Sequence, residues 1–225
     1  MHIGLIGGIG PSATEFYYRG LTRAHASAQK RMELTIVHAD MGDLLHNATH
    51  GAKTEQARIY LELVKRLEAA GAEAVAITSM GGHFCVRELE EISPLPVINA
   101  IPVLDQYLAE NGIKRAGLIG TRFVMETGVY GGVSAAEFAL PPGDDRPRVH
   151  DTYIAIASSG SATDEQRAYL FEIGKKLCSE QGAETVILGG TDLFLAFEGQ
   201  DCGFPVIDAA EVHIAALYRA SVGSA

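Results

Sequence analysis

Short apolar runs that stop at glycine alternate with amphipathic stretches along the chain. The runs at 2–7 and 74–78 predict strands buried on both faces, and the segment 34–40 predicts another strand. The stretch from Glu55 to Ala70 has apolar residues at helical spacing, and Gly71 directly after it predicts the end of a helix. Strands and helices in alternation predict an α/β fold built on parallel sheet.

The remaining polar and apolar patterns complete this outline. Residues 43–54 are polar and predict a long loop, of the kind that often carries function. Residues 97–101 predict a further strand, and residues 148–160 predict a loop or strand. The segments 164–181 and 209–222 predict helices.

A helix is also predicted after the glycine-rich segment 7–14. Ser12 or Thr14 is placed to cap its N-terminus through a side-chain oxygen. Its predicted buried face carries Tyr17, Tyr18 and Leu21.

The second half of the chain repeats the first. Three segments are echoed in order at near-constant spacing: 2–18 at 115–130, 71–83 at 182–192, and 95–104 at 204–213. Such echoes predict a duplicated fold. We expect two similar domains, each a small parallel sheet flanked by helices, with residues 1–98 and 208–225 in the first and 99–207 in the second. Pseudo-twofold symmetry would then place a site in the cleft between the domains.

The echo pairs Ser79 with Gly190, each directly after a predicted strand, where α/β sheets bind ligands. Ser79 fits a nucleophile or, more simply, a hydrogen-bonding loop residue. His83 fits a proton shuttle, or a capping or surface histidine. Thr191 could bind a carboxylate and Asp192 could act as a base, or both could cap the helix that follows.

The first glycine-rich loop offers backbone N–H groups at a helix N-terminus, which is a fair site for an anion. Gly8, Ile9 and Ser12 are its candidate ligands, and a tight structural turn is the alternative. Ala13 stands where the dinucleotide motif G-x-G-x-x-G requires glycine, and no Walker A lysine follows.

Two further residues are candidate ligands for a small carboxylate. Thr121 offers a hydroxyl in the loop after the repeated apolar run. Arg148, expected in a loop that crosses between the halves, fits a bidentate carboxylate partner or a surface residue. Arg122 fits the surface better than a carboxylate clamp.

Composition limits the partners. The net charge of −10 argues against nucleic acid and anionic membranes, but leaves room for a small anionic substrate held by local cations. Cys85, Cys178 and Cys202 have no metal-ligand spacing, so no metal site is expected and reduced thiols predict a cytoplasmic protein. The start of the chain lacks the pattern of a signal peptide, and no apolar run has the length of a membrane span.

The chain resembles the aspartate/glutamate racemase family, whose relatives include hydantoin racemase, maleate isomerase and arylmalonate decarboxylase. The resemblance covers nearly the full length and rests on GLIGGIGPSAT, AGAEAVAITSMGGH, LIGTRFVMETGVY, GAETVILGGTD and FPVIDAAEVH. It implies a cofactor-independent amino-acid racemase and, since relatives are often dimers, a homodimer.

In that family two acid/base groups face opposite sides of the substrate Cα; one removes the α-proton and the other returns it. They are usually cysteines, in C-N-T-x-H and G-C-T-E. Matching His83 to the first motif puts Ser79 at the first cysteine, with Met80 and Gly81 at the Asn and Thr. Matching the second puts Gly190 at the other cysteine.

Thr191 and Asp192 then stand at the Thr and Glu of the second motif. The basic residue that binds the substrate carboxylate maps onto Arg148, and the loop where relatives often carry an arginine has His46, His50 and Lys53.

Three functions remain open at this point. The first is racemisation of a small carboxylate such as aspartate or glutamate, with Ser79, His83 and Asp192 transferring protons. The second is a one-base lyase, decarboxylase or isomerase that uses His83 or Asp192. The third is a carboxylate-binding protein without catalysis. None of the three calls for a cofactor.

Overall fold

The computed structural model describes residues 1–126 and 129–223, and two compact units account for them. Unit 1 is Met1–Ala100 together with the C-terminal segment from His213, and unit 2 is Ile101–Val212. The predicted domain division, 1–98 with 208–225 and 99–207, stays a prediction, as do the pseudo-twofold symmetry and the cleft.

The strands are β1 (Ile3–Gly7), β2 (Leu34–His38), β3 (Ala74–Ile77), β4 (Arg115–Ile119), β5 (Glu137–Ala139), β6 (Thr185–Leu188) and β7 (Val206–Asp208). The helices are α1 (Pro11–Ser27), α2 (Met41–Thr49), α3 (Lys53–Ala69), α4 (Val86–Ile92), α5 (Ala100–Glu110), α6 (Arg122–Glu126), α7 (Asp145–Ser159), α8 (Asp164–Gln181), α9 (Phe194–Phe197) and α10 (Ala209–Val222). Two short 3₁₀ turns, Gly81–Cys85 and Thr191–Leu193, follow β3 and β6.

The sheet of unit 1 has the order β2-β1-β3, with all strands parallel. Its central strand β1 is buried along its whole length, as the apolar run predicts. Gly4 in this strand lies under α3, and a Cβ there would be 2.9 Å from Leu67 Cδ1. Glycine at this position therefore lets the helix lie close against the sheet.

The sheet of unit 2 has the order β5-β4-β6-β7, again parallel throughout. A glycine again lets a helix lie close to the sheet, since a Cβ at Gly117 in β4 would be 3.0 Å from Leu177 Cδ1 of α8. The hydrophobic core of the unit includes Val149, Ile156 and Ile173, from α7 and α8. The two parallel sheets, with their flanking helices, confirm the predicted α/β fold.

Two segments predicted as loop or strand are helices. The polar segment 43–54 lies largely in α2 and α3, and the Asp40 side chain caps α2 by accepting the N–H of Asp43. The segment 148–160 belongs to α7, whose buried face carries Val149, Tyr153 and Ile156 at helical spacing. These predictions were wrong because the buried stripe is narrow in both segments, and in 148–160 the exposed Ile154 obscures its helical spacing.

Three predictions about smaller features were also wrong. Val97 forms an isolated parallel bridge with Val75, and α5 begins at Ala100, so 97–101 is not a strand. Helix α1 begins at Pro11 after Gly10, which leaves Ser12 and Thr14 inside the helix rather than at its cap. Tyr18 is 51% exposed and lies on the solvent side of α1.

The predicted helices 164–181 and 209–222 match α8 and α10. Helix α8 begins with a capping box between Thr163 and Gln166 and ends at Gly182 in the left-handed conformation, with a φ of 69°. Within residues 1–126 and 129–223, every helix is too short or too polar to cross a bilayer.

Candidate functional site

The turn after β6 brings three predicted site residues together in unit 2. Gly190 is extended, and the 3₁₀ turn that follows buries Thr191 and Asp192. Tyr153 reaches this turn from α7, and its hydroxyl donates to Asp192 Oδ2 at 2.7 Å. Tyr153 was missed by the sequence analysis, because the segment that carries it was predicted as loop or strand.

The ring of Tyr153 also explains why residue 190 is glycine. A Cβ on Gly190 would lie 2.4 Å from Tyr153 Cε2 and 2.9 Å from Cζ, closer than real Cβ contacts. The phenol ring therefore occupies the space into which a side chain at position 190 would project.

Thr191 has a buried hydroxyl that none of the described residues satisfies. The residue is 3% exposed, and its Oγ1 has no hydrogen-bond partner among the residues that the structure describes. An unpartnered buried hydroxyl costs about 1–3 kcal/mol. A polar group of a bound ligand, or a water molecule, would satisfy it.

Two more titratable residues lie at this edge of the sheet, and sequence analysis missed both. The Tyr130 hydroxyl donates to the carbonyl oxygen of Gly189 at 3.0 Å. Asp208, at the end of β7, accepts the N–H of Ala210 at 2.8 Å. Burial raises the pKa of Asp208 to about 7, against the lowering effect of that N–H. The echo pairs Asp208 with Asn99, and this change from amide to acid was the signal available in the sequence.

The corresponding turn after β3 places Ser79 and His83 close together in unit 1. The Oγ of Ser79 accepts the backbone N–H of Gly82 at 3.2 Å. His83 Nδ1 donates to the backbone carbonyl of Ser79 at 2.7 Å, and His83 Nε2 accepts the N–H of Ala100 at 3.3 Å. The histidine thus contacts the main chain of Ser79, and both of its ring nitrogens are engaged.

Burial keeps His83 neutral. It lowers the pKa of the imidazole to about 4, against the raising effect of the Ser79 carbonyl. His213 packs edge-on against His83, and burial lowers its pKa to about 3. His213 Nε2 donates to the Ile98 carbonyl and Nδ1 accepts the Tyr17 hydroxyl, each at 2.8 Å. The two rings form a neutral buried pair that ties backbone segments together.

The first glycine-rich loop lies beside the Ser79 turn. A Cβ on Gly82 would be 3.3 Å from Ile9 Cδ1, and Ile9 is buried. Gly8 has a φ of 88°, and its N–H donates to Thr14 Oγ1 at 2.9 Å. That N–H is therefore used within the loop, while Ser12 is half-buried in the first turn of α1.

The remaining predicted ligands are on two other segments of unit 2. Thr121 Oγ1 accepts the N–H of Val124 at 3.1 Å. Arg148 is exposed on α7, not in a crossing loop as predicted, and its guanidinium stacks on the ring of Tyr169 at 4.1 Å. Arg122 is exposed and pairs with Glu126 at 2.8 Å, in the surface role predicted for it.

The three cysteines are free thiols. Burial raises the pKa of Cys85 to about 12, so its thiolate is strongly disfavoured. Across residues 1–126 and 129–223, no three His, Cys, Asp or Glu side chains form a group that could hold a metal ion.

Comparison with known proteins gives a consistent result. A family model described as Asp/Glu/Hydantoin racemase matches residues 6–217. A crystal structure of a candidate Asp/Glu racemase from Yersinia pestis is similar to this chain at 26% identity, with a TM-score of 0.85, over 99% of this chain and 100% of that one.

Two more distant structures share the fold. An aspartate racemase homologue from Pyrococcus horikoshii is 23% identical, with a TM-score of 0.82 and 99% of each chain covered. An aspartate racemase from Picrophilus torridus is 19% identical, with a TM-score of 0.78, over 99% of this chain and 95% of that one. The family match spans most of the chain, and the chain belongs to the Asp/Glu/hydantoin racemase family.

Proposed function

We propose that this protein is a cofactor-independent enzyme that transfers the α-proton of a small carboxylate such as aspartate or glutamate. The observation that carries the proposal is Asp192, a buried acid held by the Tyr153 hydroxyl in the turn after β6. The family membership supports a racemase-type reaction. The structural relatives, several of which are named as aspartate or glutamate racemases, suggest the substrate class.

Asp192 is the group to which we assign proton removal. A carboxylate within reach of a substrate Cα–H accepts the proton, and the electron pair left on carbon is delocalised into the substrate carboxylate. His83 would have to release the N–H of Ala100 before its Nε2 could accept a proton, so it is a weaker candidate. Ser79 Oγ accepts an N–H and keeps its own hydroxyl proton to donate.

Substrate binding is assigned to the other residues predicted from the sequence. The Thr191 hydroxyl, which lacks a partner among the described residues, would donate to a substrate oxygen. Gly8, Ile9, Ser12 and Gly190 are proposed as further substrate-binding residues. We further propose that Thr121 and Arg148 contribute a hydroxyl and a cation for its carboxylates.

The test is hydrogen exchange at the substrate Cα. L- and D-aspartate and L- and D-glutamate are incubated with the protein in D₂O, and loss of the α-proton is followed by ¹H NMR while chiral chromatography follows inversion. Racemisation predicts exchange together with inversion of configuration. Absence of exchange with all four substrates across the accessible pH range would contradict the proposal for them.

A second candidate is a one-base reaction, as in a lyase, decarboxylase or isomerase of a small carboxylic acid. The close packing of Tyr153 on Gly190 favours it, because it excludes a thiol from position 190. An isomerase that uses one base removes and returns the proton on a single face, so it predicts exchange without inversion. A lyase or decarboxylase would instead form a new product, by loss of a leaving group or of CO₂. Stabilisation of the fold by a carboxylate, with neither exchange nor product, would instead indicate a binding protein without catalysis.

A cytoplasmic location and a homodimer are proposed with this function. Free thiols at all three cysteines support the first, and resemblance to a family with many dimers supports the second. Multi-angle light scattering across a range of protein concentrations would test the dimer.

A further inference from the structure

We infer that Tyr153 is the positioning residue of the proton-transfer site, replacing with its ring the side chain missing at position 190 and holding Asp192 with its hydroxyl. The inference deepens the proposed function and rests on it only for the kinetic part of the test. Its basis is one side chain with two contacts, on Gly190 and on Asp192.

Packing determines where the Tyr153 hydroxyl points. Helix α7 presents Tyr153 on its buried face, between Val149 and Ile156, which are both fully buried in the core of unit 2. The ring lies against the Cα of Gly190, where a Cβ would be 2.4 Å from Cε2. A ring confined in this way has few rotamers, so its hydroxyl stays directed at Asp192.

The chemistry of the pair assigns a role to each member. Burial, and then the charge of Asp192, raise the pKa of Tyr153 well above its usual value, so the phenol keeps its proton. A permanently protonated phenol is a poor base but a constant donor. Its hydrogen bond to a carboxylate is charge-assisted and stabilises the ionised form of a buried acid. Tyr153 therefore acts through Asp192 and not on the substrate.

Position 190 and residue 153 are coupled by this arrangement. The family pattern places a thiol at position 190, and in this chain any side chain there would displace the Tyr153 ring. Displacing the ring would in turn withdraw the hydroxyl from Asp192. Gly190 and Tyr153 thus depend on each other, and together they place the acid/base group at position 192 instead of position 190.

Two other titratable groups interact with the pair or with each other, so a titration of Asp192 needs control variants of both. Tyr130 acts electrostatically on Tyr153, and Asp208 acts on Tyr130. Tyr130→Phe is a matched control, because it removes a buried phenol hydroxyl at the same edge that donates to the Gly189 carbonyl instead of to Asp192. Asp208→Asn controls for the second carboxyl.

The experiment is a ¹³C NMR titration of the Asp192 carboxyl in the wild type, Tyr153→Phe, Tyr130→Phe and Asp208→Asn, with Asp192→Asn used to assign the signal. Tyr153→Phe should move the midpoint upward by roughly one to two pH units, since a carboxylate that loses a donor holds its proton more tightly. The Tyr130→Phe and Asp208→Asn midpoints should stay close to that of the wild type.

A midpoint unchanged in Tyr153→Phe, or an equal shift in Tyr130→Phe, would overturn the inference. The wild type alone provides a second measurement. The Tyr153 hydroxyl proton should give a slowly exchanging downfield ¹H signal at neutral pH, lost as Asp192 is protonated, and absence of any such signal at neutral pH would count against the hydrogen bond.

Kinetics separate this inference from the proposed function. If Cα exchange is found, the acid limb of its pH–rate profile should move with the NMR midpoint in Tyr153→Phe, whereas a merely structural role would lower the rate at every pH. If no substrate exchanges but the midpoint moves, the proposed function fails and the positioning role stands.

Discussion

The turns that follow β3 and β6 are built from echoed sequence but use their polar groups differently. After β3, Ser79 accepts an N–H and both nitrogens of His83 contact the main chain. After β6, the Asp192 carboxylate accepts from a side chain, and the Thr191 hydroxyl has no partner among the described residues. Sequence repetition has therefore kept the turn while concentrating the candidate acid/base chemistry in unit 2.

The residues that differ between the two turns explain the divergence. The echo matches His83 with Phe194 and Gly81 with Asp192. In unit 1 a histidine fixes the turn from inside by hydrogen bonds, whereas in unit 2 an apolar ring stands at that position. The acid of unit 2 stands where unit 1 has a glycine. We therefore assign the proposed proton removal to the turn after β6, whereas His83 fixes the turn after β3.

The largest expected effect is the difference in Cα exchange rate between variants of Asp192 and Ser79. Asp192→Asn removes the proposed base and should slow Cα exchange by about 10²–10⁴-fold, the usual contribution of general acid–base catalysis. Ser79→Ala removes a hydroxyl that accepts one backbone N–H, and should retain exchange within about tenfold of the wild type while impairing inversion. Exchange rates measured in D₂O decide the matter. An equal loss in both variants would break the asymmetry proposed between the turns.

Acid should destabilise unit 1 through its buried histidines. In the folded protein the pKa of His83 is about 4 and that of His213 is about 3, both below the ordinary value of 6.5. Between these folded values and pH 6.5, the unfolded chain therefore binds more protons than the folded protein. The two histidines therefore leave the free energy of unfolding unchanged above about pH 6.5, and lower it as the pH drops towards their folded pKa values. By about pH 5 each histidine should lower the free energy of unfolding by about 2 kcal/mol.

Asp208 in unit 2 changes the stability of the protein with pH in the opposite direction. Its folded pKa of about 7 lies above its ordinary 3.8, so it stabilises the protein at low pH and loses that contribution as the pH rises through 7. Urea unfolding at about pH 7.5 and about pH 5 would measure both effects. Asp208→Asn, which introduces the residue found at Asn99 of unit 1, should make the loss of stability between about pH 7.5 and about pH 5 larger. Equal stability of this variant at the two pH values would contradict the account of the histidines.

The features that sequence alone predicted are those set by local pattern. Gly182 and the apolar face of 164–181 define α8, and the echoes predicted both turns. The prediction failed where the reason lies in a distant contact. Tyr153 contacts Asp192 although 39 residues separate them in sequence. Helix α7 was not predicted because the exposed Ile154 obscures the helical spacing of its buried residues. Likewise, His83 suggested a proton shuttle because nothing in the sequence reveals that both of its nitrogens are engaged.

The smallest expected effect tests whether thiols fit equally at the two family positions. Gly190→Cys should destabilise the protein by about 1–3 kcal/mol, because its side chain would collide with the Tyr153 ring. Ser79→Cys is the matched variant and should cost less than about 1 kcal/mol, since Ser79 is half-buried and its Cβ is already present. Urea unfolding would measure both costs. Gly190→Cys should destabilise the Tyr153→Ala variant less than the wild type, and this coupling in a double-mutant cycle would identify the Tyr153 ring as the group that collides with the cysteine. Equal costs in the two backgrounds would mean that backbone strain, and not Tyr153, keeps a thiol out of unit 2.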